Sequence, residues 1–111
     1  DFEVVIDLGE TTPFSNIQTT FFQYYLSWIV LPTTVSYAVS EDGENFSETE
    51  TIANKIPLMQ EGKFKHTFKS DSQDLKARYV KVKATTVGKL PKEHPAAGSD
   101  AWIFVDEIII E

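Results

Sequence analysis

A period of two runs through this chain and leaves few folds open to it. Residues 2–8 alternate apolar and polar side chains and stop at Gly9. Ile17 to Tyr25 is rich in aromatic and β-branched residues, Val35–Ser40 alternates and pairs through an Asp-Gly turn with Ser47–Ile52, alternation returns in Lys63–Phe68 and Arg78–Val87, and Ala101–Glu111 reads as the last strand. Such alternation places successive side chains on opposite faces of a strand. No segment carries apolar residues at helical spacing over three turns with caps at its ends. Short strands separated by turn signals about every ten residues predict an all-β sandwich or barrel. With 111 residues, the whole chain is expected to form a single domain with one core.

The stretch SYAVSEDGENF, Ser36 to Phe46, crowds Asp42, Glu44 and Asn45 around Gly43. A calcium loop of the EF-hand type needs oxygen ligands at every second position, glycine at the sixth and glutamate at the twelfth. Counting from Glu41 or Asp42 does not reproduce that spacing. Asp-Gly between two alternating runs reads instead as a hairpin, because glycine accepts the positive φ of a tight turn.

Composition narrows the partners. There is no cysteine, hence no disulfide framework and no thiolate metal site. No apolar run reaches the roughly 18 residues of a membrane-spanning helix. The net charge of −7 repels phosphate backbones and anionic lipid unless basic residues cluster. Lys63, Lys65 and Lys69 lie close in sequence, as do Lys76, Arg78, Lys81 and Lys83, but both sets alternate with apolar residues as solvent faces of strands do. Neither nucleic acid nor membrane insertion is expected, and the domain is expected to be a monomer. The first residues already read as a strand, so the chain is expected to be a piece of a longer protein, with any targeting signal elsewhere.

The groups needed for catalysis do not converge. His66 and His94 are the two histidines, and neither has a metal-type spacing to a partner. His66, between Phe64 and Phe68, reads as a strand residue; His94 falls in a loop. No nucleophile elbow, phosphate loop or dinucleotide fingerprint occurs. In the last strand, Ile103, Val105, Glu107, Ile109 and Glu111 are expected on one face, with Trp102, Phe104, Asp106, Ile108 and Ile110 on the other. Both faces are mostly apolar, so the strand is expected to be covered. Asp106 and Glu107 are expected to point apart, which excludes a catalytic carboxylate pair.

Aromatic residues gather in the loops. Gln23, Tyr24, Tyr25 and Trp28 belong to the segment QYYLSWIVLP, and Trp102 ends the long segment GKLPKEHPAAGSDAW, which also holds His94 and Asp100. A loop that long in a small domain is often functional. Aromatic rings offer flat apolar faces suited to the C–H faces of a sugar, while carboxylates, amides and imidazole bind its hydroxyls. Core packing is the competing use of the same rings.

The ordered set VVIDLGE, SWIVLPTTVSYAVSEDGENF, ARYVKVKA and AWIFVDEIII resembles the coagulation factor 5/8 type C, or discoidin-like, domains. The set is similar in particular to the C-terminal modules of bacterial family 20 β-N-acetylhexosaminidases (chitobiases), in which GKLPKEHPAAGSDAWIFVDEI looks like a characteristic element. The resemblance spans Phe2 to Glu111. It implies a jelly-roll β-sandwich of the galactose-binding type. It also implies a non-catalytic carbohydrate-binding module of a secreted glycoside hydrolase, in the bacterial periplasm, at the cell surface or outside the cell. The expected partners are a glycan bearing galactose or N-acetylhexosamine and the catalytic domain of the same polypeptide. Loops at one end of the sandwich hold the sugar in such modules, which makes Gln23, Tyr24, Tyr25, Trp28, His94, Asp100 and Trp102 the candidate contacts. Lys92 or Glu93 stands where those modules often carry an aromatic. That departure leaves a second reading open: a structural module that packs on the catalytic domain and holds no sugar. No cofactor is required. Many members of the family hold a structural calcium, with a glutamate of the closing strand as one ligand. Glu107 matches it, but the other ligands come from an N-terminal segment upstream of Phe2, so the site is expected to be incomplete here.

Overall fold

The computed structural model describes residues 2–24, 28–56, 63–71, 73–90 and 98–111. The alternating runs become seven strands among these residues: β1 (Phe2–Phe14), β2 (Ile17–Tyr24), β3 (Thr34–Ser40), β4 (Ser47–Ala53), β5 (Lys63–Lys69), β6 (Leu75–Thr85) and β7 (Phe104–Ile110). They pair antiparallel into a four-stranded sheet, β1-β6-β3-β4, and a three-stranded sheet, β5-β2-β7. The predicted β-sandwich is the observed fold, with no helix among the described residues.

The two inner faces supply the core. Ile17, Phe21 and Phe68 of the smaller sheet meet Val35, Tyr37, Val80 and Val82 of the larger one, each 2% exposed or less. Phe64, His66 and Phe68 share the inner side of β5, as the alternation predicts, and His66 stacks edge-on against Phe68 at 4.9 Å. Burial there pushes the His66 pKa down.

Tyr37 pins the sheets together. Its hydroxyl donates to the Phe68 carbonyl at 2.7 Å. Its one proton being used there, it accepts from the Thr19 hydroxyl at 2.8 Å. A strand of one sheet is thus bonded to two strands of the other inside the apolar core.

β1 runs further than predicted. Gly9 adopts φ 91° and donates its N–H to Asp7 Oδ1 at 2.8 Å, so the strand kinks there instead of ending. Pairing resumes later: β1 passes from Asp7 to Thr12 while β6 passes only from Tyr79 to Ala77. The bulge frees Asp7 to take Arg78 in a two-point ion pair at 2.8 and 3.0 Å, which holds the Asp7 pKa down to about 2.

The Asp-Gly segment is a hairpin turn. Asp42 Oδ1 accepts the N–H groups of Asn45 and Glu44, both at 2.8 Å, and the Ser40 hydroxyl at 2.9 Å. Its Oδ2 accepts the Asn45 side-chain amide at 2.8 Å. These bonds push the Asp42 pKa far down and engage both carboxylate oxygens in the turn itself. Gly43 at φ 80° lies against the Tyr79 ring, where a Cβ would come within 3.2 Å.

The last strand departs from the prediction in two ways. It is an edge strand with one open face, and a bulge breaks its alternation. Glu107 stands opposite Thr20 while Val105 stands opposite Phe21, leaving Asp106 as the extra residue. Ile103, Val105, Ile108 and Ile110 therefore turn inward, and Phe104, Asp106 and Glu107 are all exposed. The predicted division of this segment into two alternating faces fails at Asp106, because one inserted residue shifts every later side chain to the other face. Neither carboxylate is buried: Asp106 pairs with Lys65 at 3.2 Å across the outer face.

Candidate functional site

One end of the sandwich gathers most of the described candidate residues. After β2 the chain turns back on itself. Tyr24 and Ile29 exchange N–H···O bonds at 2.9 and 3.2 Å. Ile29 also pairs in parallel with Trp102. The Trp102 N–H donates to the Trp28 carbonyl at 2.9 Å, and the Val30 N–H donates to the Trp102 carbonyl at 3.0 Å. Two segments more than seventy positions apart in sequence are thereby laced together with a tryptophan on each. Val30 and Leu90, 0% and 3% exposed, form a small separate core beneath them with Val87 and Ala101.

Trp28 and Trp102 are 39% and 62% exposed. Trp28 has φ 67°, a left-handed conformation that costs an L-residue about 1–2 kcal/mol and is rare for a bulky one. The surrounding backbone bonds hold it there. Of two truncations, Trp28→Gly should therefore leave the more stable protein than Trp28→Ala, by about 1 kcal/mol in urea unfolding. Equal midpoints would show that the left-handed backbone carries no cost.

Trp102 walls a cleft of about 330 Å³ with Phe2, Thr86, Ala101 and Ile103, within the size range of small-ligand sites. Next along the chain from Ala101, Asp100 pairs with Lys89 through the backbone and through the side chains, and Ala101 donates its N–H to the Gly88 carbonyl at 2.9 Å. The cleft thus offers one flat indole and a mixed polar and apolar lining, with the Lys89–Asp100 ion pair adjacent in the chain.

The other candidates fare differently. Gln23 is 1% exposed and its amide oxygen accepts the Leu31 N–H at 3.0 Å. It faces the core, on the inner side of β2 with Ile17, Thr19 and Phe21, so it positions the turn and offers no surface to a ligand. Tyr24 is half-buried, and Lys63 Nζ lies 4.6 Å from its ring centroid, occupying one of its faces. Tyr25 and His94 lie outside the described residues. Phe2 and Thr86 line the cleft without having been singled out in the sequence; only folding brings the first strand beside the end of β6, and no local pattern marks it.

Glu107 is exposed on the outer side of the bulge. Among the described residues no three His, Asp or Glu side chains gather where a metal ion could bind.

A family model for the F5/8 type C domain matches residues 1–106. Comparison with curated proteins gives no match. Among solved structures, the C-terminal domain of a chitobiase from Bacteroides fragilis is similar over 98% of this chain and 64% of that one, at 15% identity and a TM-score of 0.48. With a family model covering nearly its whole length, the chain belongs to the F5/8 type C domain family.

Proposed function

We propose that this domain is a non-catalytic carbohydrate-binding module that holds a galactose- or N-acetylhexosamine-containing glycan at the tryptophan end of the sandwich. The observation that carries this reading is the pair of exposed tryptophans on two segments joined by the backbone bond from Trp102 N–H to the Trp28 carbonyl, one of the indoles walling a cleft. Trp102 stacks on the C–H face of a sugar ring, and Lys89 and Asp100 bind its hydroxyls. The module belongs to a longer, exported glycoside hydrolase of the β-N-acetylhexosaminidase kind, and it works as a monomer. Affinity for one sugar ring is weak, about −4 to −5 kcal/mol, or near-millimolar. Tethering makes that useful, because the linked catalytic domain then meets its substrate at high effective concentration.

The test is an NMR titration of the labelled domain with N-acetylglucosamine, N-acetylgalactosamine, galactose and chitobiose, with and without calcium. Saturable shifts at Trp28, Asp100 and Trp102 are expected, unchanged by calcium. A folded domain that shows no shift at tens of millimolar would overturn the reading in favour of a module that packs on its catalytic domain.

A further inference from the structure

The aromatic surface does not end at the cleft. Exposure alternates from the loop into β7: Ala101 and Ile103 are half-buried, while Trp102 and Phe104 are 62% and 51% exposed. The two rings therefore leave the chain on its outer side. Phe104 stands opposite Phe22 of β2 and meets it edge-on, with 5.9 Å between ring centroids. Phe104 and Phe22 thus place a second pair of rings on the outer face of the three-stranded sheet, with Phe104 two residues along the chain from Trp102.

The borders of this strip are polar. In the next row Thr20 lies between Thr67 and Glu107, with the two threonine hydroxyls 2.7 Å apart. Beside Phe22 stands Lys65, paired with Asp106 at 3.2 Å. Lys65 and Asp106 flank the rings, and Glu107 stands one row away beside Thr20. A sugar chain has the complementary character: C–H faces for rings, and hydroxyls that both donate to carboxylates and accept from ammonium and hydroxyl groups. The Lys65–Asp106 pair is self-neutralising, which favours an uncharged chain over an acidic one.

We propose that the glycan runs from the tryptophan end across Phe104 and Phe22, so that this module binds an extended neutral oligosaccharide and not only a terminal ring. This rests on the carbohydrate-binding reading above, and it adds a second subsite built from Phe104, Phe22, Thr20, Thr67 and Glu107.

The experiment is calorimetry of the wild type, Phe104→Thr and Glu107→Gln with N-acetylglucosamine, galactose, chitopentaose and a β-linked galactose pentamer. Thr keeps strand propensity and Phe104 is half-exposed, so the fold is expected to survive; Glu107→Gln changes an exposed charge alone. For the wild type, one pentamer should bind at least about tenfold tighter than its monomer. Phe104→Thr should remove that gain and leave the monomer affinity unchanged, and Glu107→Gln should reduce the gain. Equal affinity for monomer and pentamer in the wild type would overturn the second subsite and leave the first standing. So would a length gain that both variants retain. A wild-type dimer that Phe104→Thr dissociates in sedimentation would mean that a second copy covers this face, which also overturns it. Failure of every sugar to bind would remove the carbohydrate-binding reading and this inference together.

Discussion

Replacing Tyr37 by phenylalanine should lower stability by about 1–3 kcal/mol, the cost of leaving buried hydrogen-bonding groups without their partner. The ring fits unchanged, so the loss belongs to the hydroxyl. Thr19 and the Phe68 carbonyl lose their shared partner in a region where Tyr37, Thr19 and Phe68 are 0%, 0% and 2% exposed. Urea unfolding measures this as a lower midpoint with an unchanged slope. The same contact has an alkaline signature. Desolvation raises the Tyr37 pKa from its ordinary 10 to about 12. Between those values the unfolded chain has released the proton and the folded chain retains it, so folding stability falls as pH rises. The contribution is fully present below pH 10 and is lost as pH climbs through 12. The wild type should therefore lose stability faster than Tyr37→Phe across this window, and the two curves should converge. Parallel curves would show that the hydroxyl is not buried as described.

Replacing Trp102 by alanine should do the opposite: little to stability, much to binding. An indole that is 62% exposed contributes little packing, and surface substitutions of this kind usually stay within about 0.5 kcal/mol. Removing the stacking wall of the cleft should cost at least tenfold in sugar affinity, about 1.4 kcal/mol, which takes near-millimolar binding out of practical reach. A thermal melt paired with the NMR titration separates the two effects. Unchanged sugar shifts in a folded Trp102→Ala would move the binding site away from this end. A large fall in melting temperature would mean that the indole serves the fold.

Strand identities were legible because alternation is local. Burying one face of a strand demands a period of two, and Lys63–Lys69 and Thr34–Ser40 declare it within seven residues each. The hairpin was legible for the same reason, since Ser40, Asp42, Gly43 and Asn45 carry their own bonds within a few positions. Bulges were not legible. Nothing in DEI distinguishes a regular strand from one that inserts Asp106, because the insertion is set by how β7 registers against β2. That single step put Glu107 in solvent and turned Ile108 and Ile110 inward.

The candidate site divides along the same line. Sequence alone marked Trp28, Asp100 and Trp102 as aromatic and polar residues in long loops, and composition excluded a thiolate metal site. It could not show that Gln23 points into the core, since that depends on which side of β2 the other sheet covers. Nor could it join Trp28 to Trp102, or place Phe2 and Thr86 around the cleft, because those contacts come from chain segments distant in sequence. The sequence by itself determined the β-sandwich and its turns, because periodicity and turn chemistry act over a few residues. Only the tertiary structure decided which aromatic rings face solvent and which neighbours they meet, because sheet register and the closing of two sheets over one core are properties of the whole chain.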